Sequence, residues 1–245
     1  MVYDVRMAGD YDRGRRLRAA DVEAWMAASR RYLPEPGGVV LDLGAGTGRF
    51  AGALAAATGA TVIACEPSGA MRDVCRRSCP DIPVVGGEAR ALPFRDGAIG
   101  AVWASQMIHH VGDLPGFAAE VRRVLRPGGH LLLRGGFGPP SSLPLHRYFP
   151  DAWAEDAAVS LPLAEVAAVL AAAGLARVAA TQVEQVLAES REEFVARARS
   201  RTLSNLAGLD DASFERGLRA MRRDADDGSM PERIVERLDL VVFGR

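Results

Sequence analysis

The feature that most constrains this chain is an apolar run that is followed at once by a glycine-rich turn. The run Val39–Leu43 reads V-V-L-D-L, and Gly44, Gly46 and Gly48 alternate with small residues over the next five positions. The run predicts a buried strand, and the alanine-rich segment 49–57 behind it predicts a helix. Glycines at such a junction allow a ligand to approach the backbone closely. The sequence therefore predicts a strand, a ligand-binding turn and a helix, in this order.

Strand and helix signals alternate along the rest of the chain. Further strands are predicted at Thr61–Cys65, Ile82–Val85, Ile99–Ser105, His130–Arg134, Leu175–Leu187 and Ile234–Phe243. Helices are predicted within 12–32 and at Ala70–Arg77, Leu114–Leu125, Leu163–Ala173, 190–203 and 210–225. Alternation of this kind is typical of an α/β fold, in which helices cover both faces of a doubly wound, mostly parallel sheet.

Composition argues against several classes of partner. The net charge is −1, so there is no basic excess of the kind that nucleic-acid-binding proteins carry. No apolar run approaches the ~20 residues that span a membrane, and the first residues lack the apolar core of a signal peptide. Cys65, Cys75 and Cys79 have neither paired spacing nor a nearby histidine, so we expect reduced thiols and no metal site. We therefore expect a cytoplasmic protein with neither nucleic acid nor membrane as partner; the sequence carries no signal for an oligomeric state.

The spacing of the glycines excludes two common phosphate-binding sites. A dinucleotide fingerprint, G-x-G-x-x-G, needs its third glycine at position 49, which is Arg49. A P-loop needs a lysine, and all 30 basic residues of this chain are arginines. A nicotinamide oxidoreductase is therefore disfavoured, and the turn is expected to receive a smaller and less anionic ligand.

Four segments in order resemble the motifs of class I S-adenosylmethionine-dependent methyltransferases. The segment V-L-D-L-G-A-G-T-G at 40–48 resembles motif I, and C-E-P-S at 65–68 places an acidic residue after the second strand. Two later matches are G-G-E-A-R-A-L-P-F at 86–94, and A-V-W-A-S-Q-M-I-H-H-V at 101–111 with R-V-L-R-P-G-G behind it. The chain is similar to the small-molecule, UbiE-like members of that family. The resemblance implies a Rossmann-like fold with seven strands, the last one antiparallel, and added lid helices.

The resemblance also implies S-adenosylmethionine as the cofactor and a set of residues that bind it. Helix N-terminal N–H groups can meet the carboxylate of the cofactor, and an acidic side chain after the second strand can accept the ribose hydroxyls. Glu88 stands where an aspartate is more usual at the adenine edge, and Tyr3 is a weaker alternative to Tyr11 as the lid aromatic over the sulfonium. The expected cofactor-binding residues are Tyr11, Asp42, Gly44, Ala45, Gly46, Glu66, Pro67, Glu88, Ala89, Ser105 and Gln106.

Two histidines, His109 and His110, follow the fourth strand at the edge where acceptors bind in open α/β sheets. Methyl transfer often requires a base, and histidine has a reference pKa of ~6.5. Adjacent side chains tend to point in different directions, so at most one is expected to face the methyl group. His109 is the better catalytic candidate, and organisation of the loop is the alternative role for both. Some relatives pair such a histidine with an aspartate after the fifth strand, where this chain has Arg134.

The expected organisation is an N-terminal lid or helical segment at 1–36 and a cofactor-binding methyltransferase domain at 37–245. Insertions at about 135–161 and 190–227 are expected to cover the acceptor. The expected function is O-, N- or C-methylation of a small organic acceptor, and the arginine-rich composition suggests bacterial specialised metabolism. The segment after the fourth strand lacks the N/D-P-P-Y/F tetrapeptide used on DNA bases. The alternative is a protein of this fold that binds the cofactor without methylating, either a cyclase-like enzyme or a binding partner.

Overall fold

The computed structural model describes residues 17–137, 142–153, 161–201 and 204–245. Its strands are β1 (Val39–Leu43), β2 (Thr61–Cys65), β3 (Val84–Val85), β4 (Ile99–Ser105), β5 (Leu125–Gly135), β6 (Ala176–Ala188) and β7 (Ile234–Gly244). Its helices are α1 (Ala19–Ser29), α2 (Ala51–Thr58), α3 (Gly69–Ser78), α4 (Leu114–Val124), α5 (Leu163–Ala172), α6 (Arg191–Arg199), α7 (Ser204–Ala207) and α8 (Asp211–Asp226). Short 3₁₀ turns lie at Arg30–Tyr32, Ile108–His110 and Pro150–Trp153.

All seven described strands form one sheet in the order β3-β2-β1-β4-β5-β7-β6. Strands β1 to β5 are parallel, whereas β7 runs antiparallel to both β5 and β6. The doubly wound, mostly parallel, seven-stranded sheet predicted from the sequence is confirmed. The chain winds outward in both directions from β1 and β4, so the order reverses between these two strands. In open α/β sheets, the carboxyl ends of the strands at such a reversal form a ligand-binding crevice.

The sheet is buried on both faces, which explains why its central strands are continuous apolar runs. On one face, Leu41 of β1 lies in a cluster with Phe117 of α4 and Leu170 of α5. On the other face, the neighbouring Val40 lies in a cluster with Trp25 of α1 and with residues of α2. Successive residues of a strand point to opposite faces, so β1 contributes alternately to the two cores.

Strand β5 begins at Leu125, five residues before the predicted start at His130. The sequence R-P-G-G at 126–129 predicts the end of a helix, but in the structure it continues the strand. Ile99 pairs with Leu125 and Ala101 with His130, so a bulge accommodates the intervening residues. The C-terminal Arg245 fixes this stretch, since its carbonyl accepts from the Gly128 amide at 3.1 Å.

A small helical unit stands above the carboxyl edge of the sheet. The pairing of β7 with β5 ends at Gly135–Asp239, but its pairing with β6 continues to Ala188–Ile234. The two strands thus extend beyond the carboxyl edge as a ribbon. Helices α6 and α8 pack on this ribbon together with the segment that contains Phe149, and they form a third hydrophobic core. The ribbon therefore places these helices on the side of the sheet where the predicted site lies.

One close contact in this unit requires a glycine in the middle of α8. A Cβ at Gly217 would lie 2.3 Å from a ring carbon of Phe149 and 2.6 Å from the Tyr148 carbonyl oxygen. In contrast, a Cβ at Gly52 of α2 would have no neighbour within 4 Å. These two helical glycines form a matched pair, because alanine favours the helix at both positions and only one of them is crowded.

We expect Gly217→Ala to lower the free energy of unfolding by about 1–3 kcal/mol through overpacking. Gly52→Ala is expected to raise it by about 0.5–1 kcal/mol through helix propensity. Urea unfolding of both variants against the wild type, followed by circular dichroism, measures the difference. Equal changes in the two variants would show that Phe149 does not pack against α8 in solution.

Candidate functional site

The glycine turn after β1 is in the left-handed region of backbone space. The φ angles of Gly44, Gly46 and Gly48 are 68°, 58° and 87°, values that other residues rarely adopt. The amides of Gly44 and Ala45 both donate to the Cys65 carbonyl, at 2.8 and 3.2 Å. The turn is therefore fixed to the end of the neighbouring strand β2.

The three glycines of the turn have different neighbours. A Cβ at Gly48 would lie 2.7 Å from the Sγ of Cys75 in α3, and one at Gly44 would lie 3.0 Å from the Cβ of Met107. A Cβ at Gly46 would have no neighbour within 4 Å. Packing inside the protein therefore excludes a side chain at Gly48, whereas Gly46 faces open space that a ligand can occupy.

The Glu66 carboxylate, directly after β2, holds this turn by a hydrogen bond. Glu66 is only 8% exposed; its Oε2 accepts from the Gly46 amide at 3.0 Å and its Oε1 from the Ser68 amide at 2.9 Å. Burial raises the pKa of Glu66 above its usual value, and the two amide hydrogen bonds oppose the rise. A carboxylate has about four acceptor positions. Glu66 can thus accept ribose hydroxyls while it holds the turn.

Asp42 of β1 is a buried carboxyl group with an unsatisfied oxygen. It is 3% exposed, and its Oδ2 has no hydrogen-bond partner among the described residues. The pKa of Asp42 is raised to about 7, first by burial and then by the charge of Glu66, while the charge of Arg49 opposes the rise. A buried polar atom without a partner is costly. Its position at the end of β1, four residues before the open Gly46, fits a ligand that brings hydrogen-bond donors, as the amino-acid end of S-adenosylmethionine does.

The residues predicted at the adenine edge lie after β3, where Glu88 forms an isolated bridge with Ala91. The Glu88 carboxylate is exposed and pairs with Arg90 Nε at 3.0 Å. Pro67, predicted beside the ribose, offers its carbonyl to Arg72 Nη1 at 2.7 Å, and the same nitrogen donates to the Glu66 carbonyl. Tyr11, the predicted lid aromatic, lies outside the described residues.

Residues after β4 form the other side of the crevice. Gln106 has a φ of 50°, and its amide donates to the Arg134 carbonyl at 2.7 Å. His109 and His110 follow in a 3₁₀ turn and are both exposed, with ring centroids 4.0 Å apart. The two rings therefore lie together, whereas the sequence predicts that they diverge. Alternation of side chains holds for an extended strand and not for a tight helical turn.

The sequence gives no site role to Arg134, the penultimate residue of β5. In the structure it is 2% exposed; its Nη1 donates to Ser105 Oγ at 3.1 Å and its Nη2 to Gln185 Oε1 at 2.5 Å. Its guanidinium carbon lies 4.5 Å from the centroid of the Trp25 ring. An arginine at the end of the apolar run L-L-L-R is the only signal for this arrangement in the sequence, because a charge in a buried strand needs partners.

A family model described as a methyltransferase domain matches residues 41–133. This stretch contains the glycine turn, Glu66 and the two histidines. Over these residues the resemblance to class I S-adenosylmethionine-dependent methyltransferases is confirmed.

Individual relatives agree with the family match. An uncharacterized methyltransferase of Mycobacterium tuberculosis is 39% identical over 125 residues, which are 50% of this chain and 47% of the relative. A demethylmenaquinone methyltransferase of Beutenbergia cavernae is 40% identical over 117 residues, 47% of this chain and 48% of the relative. The chain thus spans about half the length of these curated relatives.

Among solved structures, a protein of an antibiotic biosynthesis pathway of Anabaena variabilis, described as a methyltransferase, superposes with a TM-score of 0.73. The two sequences are 24% identical, and the superposition covers 90% of this chain and 96% of the other. At this identity the likeness concerns the fold.

Within the described ranges, every helix is too short or too polar to cross a bilayer.

We expect Glu66→Ala to weaken the binding of S-adenosylhomocysteine at least tenfold, because the ribose acceptor and the support of the Gly46 amide are both lost. A tenfold change corresponds to about 1.4 kcal/mol, the size of one charge-assisted hydrogen bond. Isothermal titration calorimetry measures the affinity. Glu215→Ala, on the exposed side of α8, is the matched control, and equal affinity in the two variants would remove Glu66 from the site.

Asp42→Asn is expected to change how stability depends on pH. The pKa of Asp42 is raised from 3.8 to about 7 in the folded protein, so its contribution to stability is complete below pH 4 and is lost as the pH rises through 7. Asparagine has no such proton. Between pH 4 and 8 the variant should gain stability relative to the wild type, by at most about 4 kcal/mol. Urea unfolding at several pH values measures the gain, and a difference that does not vary with pH would contradict it.

Proposed function

We propose that this chain transfers a methyl group from S-adenosylmethionine to an oxygen, nitrogen or carbon atom of a small organic molecule. The observation that carries the proposal is the arrangement at the strand-order reversal. There the Gly46 position is open, the Glu66 carboxylate accepts from the Gly46 amide, and Asp42 at the end of β1 is buried with an unsatisfied oxygen. This arrangement suits a nucleoside that also carries an amino-acid group. When bound, the cofactor supplies an electrophilic methyl group on a sulfonium.

We assign the adenosine and amino-acid contacts of the cofactor to the residues that the sequence predicts. Glu66 and Pro67 would contact the ribose, Glu88 and Ala89 the adenine, and Asp42 with Gly44–Gly46 the amino-acid end. Ser105 and Gln106 would complete the site from β4, and Tyr11 would cover it. The assignment of Glu66 and the glycine turn to one site is supported by the hydrogen bond from the Gly46 amide to the Glu66 carboxylate.

The acceptor side of the site would be covered by the helical unit above the carboxyl edge. The chain would then consist of an N-terminal segment at 1–36 and a methyltransferase domain at 37–245, with covering insertions at about 135–161 and 190–227. The position of the cover is supported by the ribbon of β6 and β7, on which α6 and α8 pack beyond the carboxyl edge. A cover of this kind would exclude water from the reacting atoms.

We further propose that the acceptor is a small molecule of a bacterial biosynthetic pathway. A relative of this chain is named for its action on demethylmenaquinone, and a protein of the same fold belongs to an antibiotic pathway. We place the protein in the cytoplasm, since its three cysteines, Cys65, Cys75 and Cys79, are free thiols of the kind found in reducing compartments.

We propose His109 as the general base, with His110 as the neighbouring alternative. His109→Gln should lower the rate of labelled methyl transfer by about 10²–10⁴, the usual contribution of a positioned base. It should leave the affinity for S-adenosylhomocysteine within twofold of the wild type. The assay needs a wild-type acceptor, which a screen of small aromatic molecules with labelled cofactor would supply. His130→Gln, in the middle of β5 and beside Tyr32, is the control, and an unchanged rate in His109→Gln would assign the base to another residue.

A second candidate function follows from Arg134, near the end of β5, which stands where some relatives carry an aspartate. A protein of this fold can bind the cofactor without transferring its methyl group. Tight binding of S-adenosylmethionine without transfer to any screened acceptor would favour this reading. Loss of both binding and turnover in His109→Gln would give the histidine a structural role.

A further inference from the structure

Arg134 is a cation that is held in one position at the carboxyl edge of the sheet. Gln185 Oε1 accepts from both Arg134 Nη2 and Trp25 Nε1, at 2.5 and 3.1 Å, and Gln185 Nε2 donates to a carboxylate oxygen of Glu236. These partners determine the orientation of the Gln185 amide. The guanidinium carbon also lies over two rings, 4.5 Å from the centroid of Trp25 and 5.1 Å from that of Phe50. The direction in which Arg134 points its other nitrogen, Nη1, is therefore fixed.

That nitrogen donates to the hydroxyl oxygen of Ser105 at 3.1 Å. A serine hydroxyl has one donor and two acceptor positions, whereas a guanidinium has donors only. Ser105 can therefore accept from Arg134 but cannot donate to it. Within the described part of the chain, the Ser105 side chain makes no other hydrogen bond. Its O–H remains available to donate, and the adjacent positive charge strengthens it as a donor.

Ser105 lies across the crevice from the glycine turn. Asp42 pairs with Trp103 and Leu43 with Ala104, so the next residues in this register are Gly44 and Ser105. The side chain of Met107 contacts the position of a Gly44 Cβ, which confirms that the two loops are neighbours. A hydroxyl whose hydrogen has no acceptor inside the described protein, at this place, favours a ligand group that accepts. The cofactor carries such a group in the carboxylate of its amino-acid end.

We propose that Arg134 is a positioning residue that makes Ser105 a fixed hydrogen-bond donor to the carboxylate of the bound cofactor. The inference rests on the proposed function, because it takes the cofactor to be S-adenosylmethionine. It adds a residue of β5 to the cofactor site and gives a direction to the hydrogen bond of Ser105. Helix α1 and strand β6 contribute indirectly, because Trp25 and Gln185 hold the guanidinium.

The test compares two ligands that differ in the amino-acid end. S-adenosylhomocysteine carries the carboxylate, and 5′-methylthioadenosine has the same nucleoside without it. Calorimetry with Arg134→Met and Ser105→Ala should show at least tenfold weaker binding of S-adenosylhomocysteine, and less than a twofold change for 5′-methylthioadenosine. The double variant should bind S-adenosylhomocysteine no more weakly than either single variant, since the two residues act as one unit.

Further variants keep the test decisive if Arg134→Met fails to fold. Arg134→Lys retains the charge and should recover part of the lost affinity, and Ser105→Ala removes the donor without disturbing the buried network. Arg237→Met is the control for loss of an arginine, because Arg237 is exposed and pairs with Glu184 at 3.2 Å. Equal losses for both ligands, or losses that add in the double variant, would overturn the inference. If the wild type binds neither ligand, the proposed function itself fails, whereas unaffected variants of a binding wild type reject only the role of Arg134.

Discussion

The hydrogen bond between the Gly46 amide and the Glu66 carboxylate joins the two loops on which the site depends. A left-handed turn exposes backbone N–H groups that no helix or strand partner satisfies, so it needs acceptors from elsewhere. The Cys65 carbonyl and the Glu66 side chain, both at the end of β2, supply these acceptors. The fold places them there because β1 and β2 are parallel neighbours whose carboxyl ends meet at one edge. The glycine turn is thus held in place by the sheet itself.

This construction has an electrostatic consequence. Burial raises the pKa values of two carboxyl groups, Asp42 and Glu66, and the charge of Glu66 raises the pKa of Asp42 as well. A ligand with a positive charge beside them would offset this cost, since an opposite charge favours the ionised form. S-adenosylmethionine carries a sulfonium and an ammonium group. Its demethylated product keeps the ammonium and loses the sulfonium, so the site is better matched in charge to the substrate form than to the product.

The sequence predicts the central sheet well and the long-range contacts poorly. Strands β1, β2 and β4 have the predicted bounds because a strand that is buried on both faces must be an apolar run. The start of β5 differs because its bulge depends on pairing with Ile99 and Arg245, which no local pattern reports. The glycine turn and Glu66 were accessible through motif spacing. The Arg134 contacts were not, since Gln185 and Trp25 lie 51 and 109 positions away and their proximity follows only from the folded sheet.

Helix α1 connects the cofactor side of the sheet with the helical unit above it. Arg18, just before the helix, pairs with Glu193 of α6 at 3.2 Å, and Asp21 Oδ1 accepts from the Val186 amide of β6 at 3.0 Å. Trp25 donates to Gln185, so three positions at helical spacing contact one stretch of chain. Strand β6 is at the edge of the sheet, and Asp21 satisfies an amide there that another strand would otherwise bind. The same helix therefore protects the sheet edge, anchors the helical unit through Arg18, and holds the Arg134 guanidinium through Trp25 and Gln185.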